Sequence, residues 1–239
     1  EDVTSKLSIS PLYVDKKGQP YSEPPQGKYF EVRSAAKWLN VSTEYLSFKG
    51  SRSEQIQLRG QVPPGTLPGN YYALLAITSA KTQEFLSKAQ AGYASFGIVP
   101  NISLVIPITV KVAGPMAEAE LEPLALKVSL QKSNLISVLT VINRSMEELR
   151  ISGELRLIRE VNGQREITPY FSQLIGEGGG EKIYPDLTRE FTYSTVLPRS
   201  DGIYWLQYEL KYGVDKTYVA EKQIKVKYQN NELVIIEKP

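Results

Sequence analysis

Twice along the chain a Gly-x-Tyr triplet opens a segment whose apolar residues fall on every second position. In the first half, Leu67-Pro68-Gly69-Asn70-Tyr71 runs into Tyr71, Ala73, Leu75 and Ile77. In the second, Ser200-Asp201-Gly202-Ile203-Tyr204 runs into Tyr204, Leu206, Tyr208, Leu210 and Tyr212. Alternate residues of a strand share a face, so each segment reads as a strand with one face in a core. A glycine that permits a turn, then a tyrosine whose ring enters the core and whose hydroxyl bonds back to upstream backbone, is a tyrosine corner of a β-sandwich. After each corner come a loop and a final alternating strand, Ile102–Val112 and Ala220–Tyr228. Two such units in one chain predict a tandem repeat.

The implied fold class is all-β, with two tandem immunoglobulin-like β-sandwich domains. Fifteen Tyr, abundant Val, Ile, Thr and Leu, and frequent Pro and Gly support strands throughout. Only Thr82–Gln90 has the pattern of a short helix. The Gly-Pro break at Gly114–Pro115 divides the chain into residues 1–114 and 115–239. In the second half the predicted strands are Ala125–Leu130, Ile136–Asn143, Leu149–Ile158, Phe191–Val196, Ile203–Tyr212 and Tyr218–Tyr228. Gly176–Gly180 reads as a flexible connection; it lacks the Lys-Ser/Thr and the helix pattern of a phosphate loop.

The residue types that are missing narrow the chemistry. With no Cys and no His among 239 residues, thiol nucleophiles, disulfides, the usual zinc sites and imidazole bases are excluded. The net charge of +2 comes from Lys and Arg scattered among acids, which argues against a nucleic-acid partner. No run is apolar enough for a membrane helix; the longest, Ile102–Val112, is broken by Ser103, Pro107, Thr109 and Lys111. The few Asp (Asp2, Asp15, Asp186, Asp201, Asp215) lie near turns or termini, and no cluster suits calcium. Glu residues such as Glu54, Glu154, Glu190 and Glu209 read as solvated strand faces. The expectation is no enzyme, no metal and no organic cofactor.

Trp38-Leu-Asn-Val-Ser-Thr-Glu-Tyr-Leu-Ser-Phe, the strand Gln55–Val62 and Pro63-Pro64-Gly65-x-x-Pro68-Gly69-x-Tyr71 stand in an order that resembles the stretch shared by many bacterial extracytoplasmic immunoglobulin-like domains. In the second half, Val141-Ile142-Asn143-Arg144-Ser145, Gly153-Glu-Leu-Arg-Leu, Ile183-Tyr184-Pro185 and Gly202-x-Tyr204 resemble the second domain of the WxL-interacting cell-surface family. The same order more loosely resembles periplasmic pilus chaperones. The resemblance implies an extracytoplasmic protein, in the periplasm or at the cell surface. It transfers no functional residue, because no basic pair matches the pilus-chaperone cleft.

Binding residues are therefore sought among aromatics. Trp205 lies on the strand face opposite Tyr204, Leu206 and Tyr208, pointing outward or against a neighbouring loop or domain. The connection Ala80–Asn101 is long for a sandwich and carries Tyr93, Phe96 and Ile98 among small residues, as either a binding loop or a cap. Three Asn-x-Ser triplets, at Asn40, Asn101 and Asn143, would be glycosylation candidates in a eukaryotic secreted protein and chance in a bacterial one, and the resemblance favours chance. The leading reading is a non-catalytic binding or structural protein that contacts a surface protein or a cell-wall polysaccharide. The alternatives are a chaperone-like assembly factor that lends the apolar strand Ile102–Val112 by β-augmentation, and an accessory module of a larger secreted enzyme.

Overall fold

The computed structural model describes residues 3–21, 30–48, 53, 55–79, 103–115, 118–131, 134–177, 179–196, 198 and 200–237. Among them the only helices are two single 3₁₀ turns, Ala36–Trp38 and Val214–Lys216. The protein is all-β, of immunoglobulin-like sandwich type. Its contacts divide it into two compact units. Residues 1–15 and 20–114 form one, and residues 16–19 and 115–239 form the other.

The first unit holds β1 (Val3–Ser10), β2 (Tyr13–Val14), β3 (Pro20–Tyr21), β4 (Phe30–Glu31), β5 (Leu39–Val41), β6 (Tyr45–Phe48), β7 (Leu58–Gly60), β8 (Gly69–Ser79) and β9 (Ser103–Val112). Its main sheet has the order β6-β1-β8-β9, all antiparallel. The pairs β5–β7 and β3-β2-β4 are small separate sheets. Leu7 of β1, Leu46 of β6 and Leu75 of β8 are buried together, and Val41 of β5, Ile56 and Ile108 of β9 pack against them. The predicted strand Gln55–Val62 is thus short, with only Leu58–Gly60 paired. Tyr71, Ala73, Leu75 and Ile77 do share one face of β8, but Tyr72 and Leu74 are also buried, so this strand is covered on both sides.

The second unit holds β10 (Leu121–Gln131), β11 (Asn134–Asn143), β12 (Leu149–Val161), β13 (Gln164–Arg165), β14 (Phe171–Ile175), β15 (Glu181–Ile183), β16 (Thr188–Val196), β17 (Gly202–Tyr212), β18 (Tyr218–Gln229) and β19 (Glu232–Glu237). One sheet is β10-β11-β16, and the other is β13-β12-β17-β18-β19, with β14 and β15 also on β12. Leu135, Leu139 and Val141 of β11 and Phe191 of β16 share one buried cluster with Leu155 and Leu157 of β12, Leu206 and Leu210 of β17, and Ile224 and Val226 of β18. A short hydrogen bond of 2.7 Å between the Ser137 and Tyr208 hydroxyls joins the two sheets through the core. Burial pushes the Tyr208 phenol well above its ordinary range.

All six strands predicted in this half are present, each one to four residues longer at one or both ends. Four elements lie outside the sequence expectation, namely β13, β14, β15 and β19. The Asn230–Asn231 turn has two positive φ angles, 53° and 60°, which suits a two-residue hairpin and turns the chain back after β18. Ala220–Tyr228 is therefore not the final strand, because β19 lies beyond it. Gly176–Gly180 lies between β14 and β15, two strands that pair with the same strand, β12.

Both corners are built, though unequally. The Tyr204 hydroxyl donates to the Ser200 carbonyl at 2.9 Å, and its ring is fully buried. Tyr71 donates to the Leu67 carbonyl at 3.0 Å, but its ring is only partly buried and rests on Trp38 at 4.5 Å. Gly69 has φ 131°, a conformation that favours glycine. Gly202 has no such φ, so a glycine-favouring backbone occurs only at the first corner.

Asn143 turns out to be a structural anchor. Its buried amide donates to the Glu147 and Ile183 carbonyls and accepts from the Ser145 backbone N–H. That placement leaves no room for a glycan at this triplet.

Candidate functional site

A strand open to a partner is β9. It pairs with β8 along its whole length, and among the described residues no strand pairs with its other edge. An unpaired edge offers a row of backbone donors and acceptors to any extended chain.

Hydrogen bonds made by the neighbouring strands fix the direction of each backbone group on that edge. Tyr72 of β8 donates its N–H to the Arg33 carbonyl at 2.7 Å and accepts from the Ala35 N–H at 2.8 Å. Both of its backbone groups thus point away from β9. Alternation then turns the groups of Ala73, Leu75 and Ile77 toward β9, where they face Ile108, Ile106 and Leu104. The β1 side agrees: the Leu7 N–H, opposite Ile77, points away from β8 to the Glu44 carbonyl. So Val105, Pro107 and Thr109 direct their backbone groups to the free edge. Pro107 has no N–H to give, and this is the only side on which a strand tolerates it.

Side chains complete the picture. Leu104, Ile106 and Ile108 lie on the face that carries the Leu7–Leu46–Leu75 core. Ile108 packs on that core, yet Leu104 is 59% exposed and Ile106 38%. Val105, on the other face, is 40% exposed. Among the described residues, Ile108 packs on that core and Leu104 and Ile106 are not part of it.

Of the residues expected to bind, Trp205 is described, while Tyr93, Phe96, Ile98 and the whole Ala80–Asn101 connection lie outside the described residues. Trp205 is half-buried on the outer face of β17. Its indole N–H donates to Glu160 at 2.6 Å, and Glu160 also pairs with Lys225 at 2.9 Å. The Arg165 guanidinium sits over the ring, 3.7 Å from its centroid. That cation occupies a ring face on which a sugar would stack. Arg165 comes from the hairpin turned by Asn162-Gly163, both with positive φ. An Asn-Gly pair between strands is the sequence signal that marks this turn.

The outer face of β12 and β17 is otherwise laced with ion pairs. Arg156 holds Glu154 at 2.6 Å and lies 3.6 Å from Glu209, which also meets Lys211 at 3.3 Å. The hydrogen bond from Arg156 holds the Glu154 carboxyl below its usual range, and bonds from Lys225 and Trp205 do the same for Glu160. A general acid needs the opposite shift. Glu190 pairs with Lys16 at 3.1 Å, and Glu54 lies outside the described residues. No group of three or more possible metal-ligating side chains occurs among the described residues.

No family model matches the chain, and no curated protein matches it. Likeness to the WxL-interacting family therefore rests on the quoted motifs alone. Among solved structures, the chain is similar to the Escherichia coli chaperone DraB, with 12% identity, 94% of this chain and 82% of that one covered, and a TM-score of 0.36. It is also similar to the Pseudomonas aeruginosa CupB2 chaperone, with 12% identity, coverage of 93% and 84%, and a TM-score of 0.34.

Proposed function

We propose that this protein is an extracytoplasmic, chaperone-like assembly factor that lends β9 to an unfinished β-sandwich subunit. The observation that carries the reading is the exposure of Leu104, Val105 and Ile106 on a strand that, among the described residues, is paired along one edge. Main-chain bonds along Val105 and Thr109 would supply affinity, and the alternating apolar side chains would set which groove accepts the strand. The partner is a protein segment that lacks one strand of its own sheet. No catalysis, cofactor or metal enters this mechanism. The Arg165 cap over Trp205 makes a polysaccharide partner on that face the weaker reading.

The test uses an immunoglobulin-like domain deprived of its last strand, together with the same domain with that strand restored. The wild-type chain is expected to bind the first and not the second. Leu104→Asp with Ile106→Asp, which leaves the β8 pairing intact, should abolish binding. Equal binding to both domains, or binding unchanged in the double variant, would remove β9 from the mechanism.

A further inference from the structure

We propose that Pro107 is the residue that keeps two copies of this chain from joining through β9, while leaving the edge open to a different strand. The inference rests on the reading of β9 as a lending edge.

An apolar edge strand with free donors and acceptors is a template for its own copy as much as for a partner. On β9 the outward-facing positions around the middle are Val105, Pro107 and Thr109, as the Tyr72 and Leu7 hydrogen bonds require. Two β9 strands meeting antiparallel about a two-fold axis pair the most outward-facing positions, five from each copy, when the axis passes through residue 107. Val105 of each copy then faces Thr109 of the other, and Pro107 faces Pro107. That central pair makes neither of its two hydrogen bonds, since neither ring nitrogen carries a proton. Both Pro107 carbonyls are left without their donors, and two pyrrolidine rings meet edge to edge at the axis. Registers shifted to either side pair fewer outward-facing positions and still bring a Pro107 from each copy into the contact, facing Thr109 or Val105. Symmetry therefore doubles the penalty for a second copy. A foreign strand meets Pro107 once, loses one donor, and presents no opposing ring.

The side of the strand matters as much as the residue. Ile106 and Ile108 give their backbone groups to β8, so a proline at either position would break the sheet itself. At 107 it costs the fold nothing and changes only what the free edge offers.

The experiment follows oligomeric state by sedimentation velocity across a concentration series for the wild type, Pro107→Ala and the double variant Pro107→Ala/Val105→Pro. Pro107→Val replaces Pro107→Ala if the latter fails to melt cooperatively. The wild type is expected to stay monomeric, and restoring the N–H should strengthen self-association by at least about tenfold. The double variant, which moves the missing donor to the neighbouring outward position, should return to the wild-type pattern. A Pro107→Ala protein that associates no more than the wild type overturns the inference, as does a dimer that survives Val105→Pro. Failure of the lending-edge reading is seen separately, as wild-type protein that does not bind the strand-deficient domain.

Discussion

β9 and β18 look alike as sequences, each an alternating strand that comes after a tyrosine corner, yet they have different surroundings. β18 lies between β17 and β19, and its Ile224 and Val226 are almost fully buried. Among the described residues β9 pairs with β8 alone, and its Leu104 is 59% exposed. The difference does not lie in the strands themselves. It lies in the chain beyond β18, where Asn230-Asn231 supplies two left-handed residues and the backbone returns as β19. Alternation specifies a strand and its inner face, but whether the edge is covered depends on another segment. A closed edge contributes stability; an open one is available for binding.

The largest effect expected on this comparison is in the cores. Leu155 and Leu206 are fully buried in the second unit, so either leucine to alanine should cost about 2–5 kcal/mol by thermal or denaturant unfolding. Leu104→Ala in the first unit should cost less than about 0.5 kcal/mol. A large loss at Leu104 would mean that β9 is as well packed as β18, and the contrast would fail.

Next come the corners. Tyr204→Phe leaves the Ser200 carbonyl without its buried donor, for a loss of about 1–3 kcal/mol. Tyr71→Phe, where water can reach the Leu67 carbonyl, should cost about 0.5 kcal/mol or less. Equal losses at the two positions would show that both corners are equally sealed.

A smaller effect concerns acid. The Glu154 carboxyl is held below its usual range by Arg156, so its contribution is complete above the unfolded value of about 4 and fades as pH falls through the lowered folded value. Glu154→Gln should flatten that part of the stability-against-pH curve by about 0.2–1 kcal/mol, as befits a partly exposed pair. An unchanged curve would mean that the outer-face ion pairs contribute nothing to the second unit.

The second unit is the more legible in sequence because its strands are long, regular and one-sided. Leu155, Leu157, Tyr204, Leu206, Tyr208 and Leu210 all lie inward, as period-two alternation requires. β14 and β15 are hidden because Gly176–Gly180 interrupts them and each is too short to show a period. β13 has a signal in Asn162-Gly163, and with it comes the Arg165 that covers Trp205. The candidate edge is legible as an apolar strand able to augment a sheet, but its pairing with β8 is not, since contact across Leu75–Ile106 is a non-local fact. The outward direction of Pro107 is likewise beyond sequence. It depends on where the Tyr72 amide finds its partner, at Arg33.

The most direct test of the central claim is residue-resolved amide hydrogen exchange along β9 in the isolated protein, repeated with the strand-deficient domain bound. The amides of Leu104, Ile106 and Ile108 should exchange slowly in both states, because β8 holds them. Those of Val105 and Thr109 should exchange rapidly in the free protein and become protected only in the complex. Slow exchange at Val105 and Thr109 in the free protein would show that the edge is already covered, and would contradict the account.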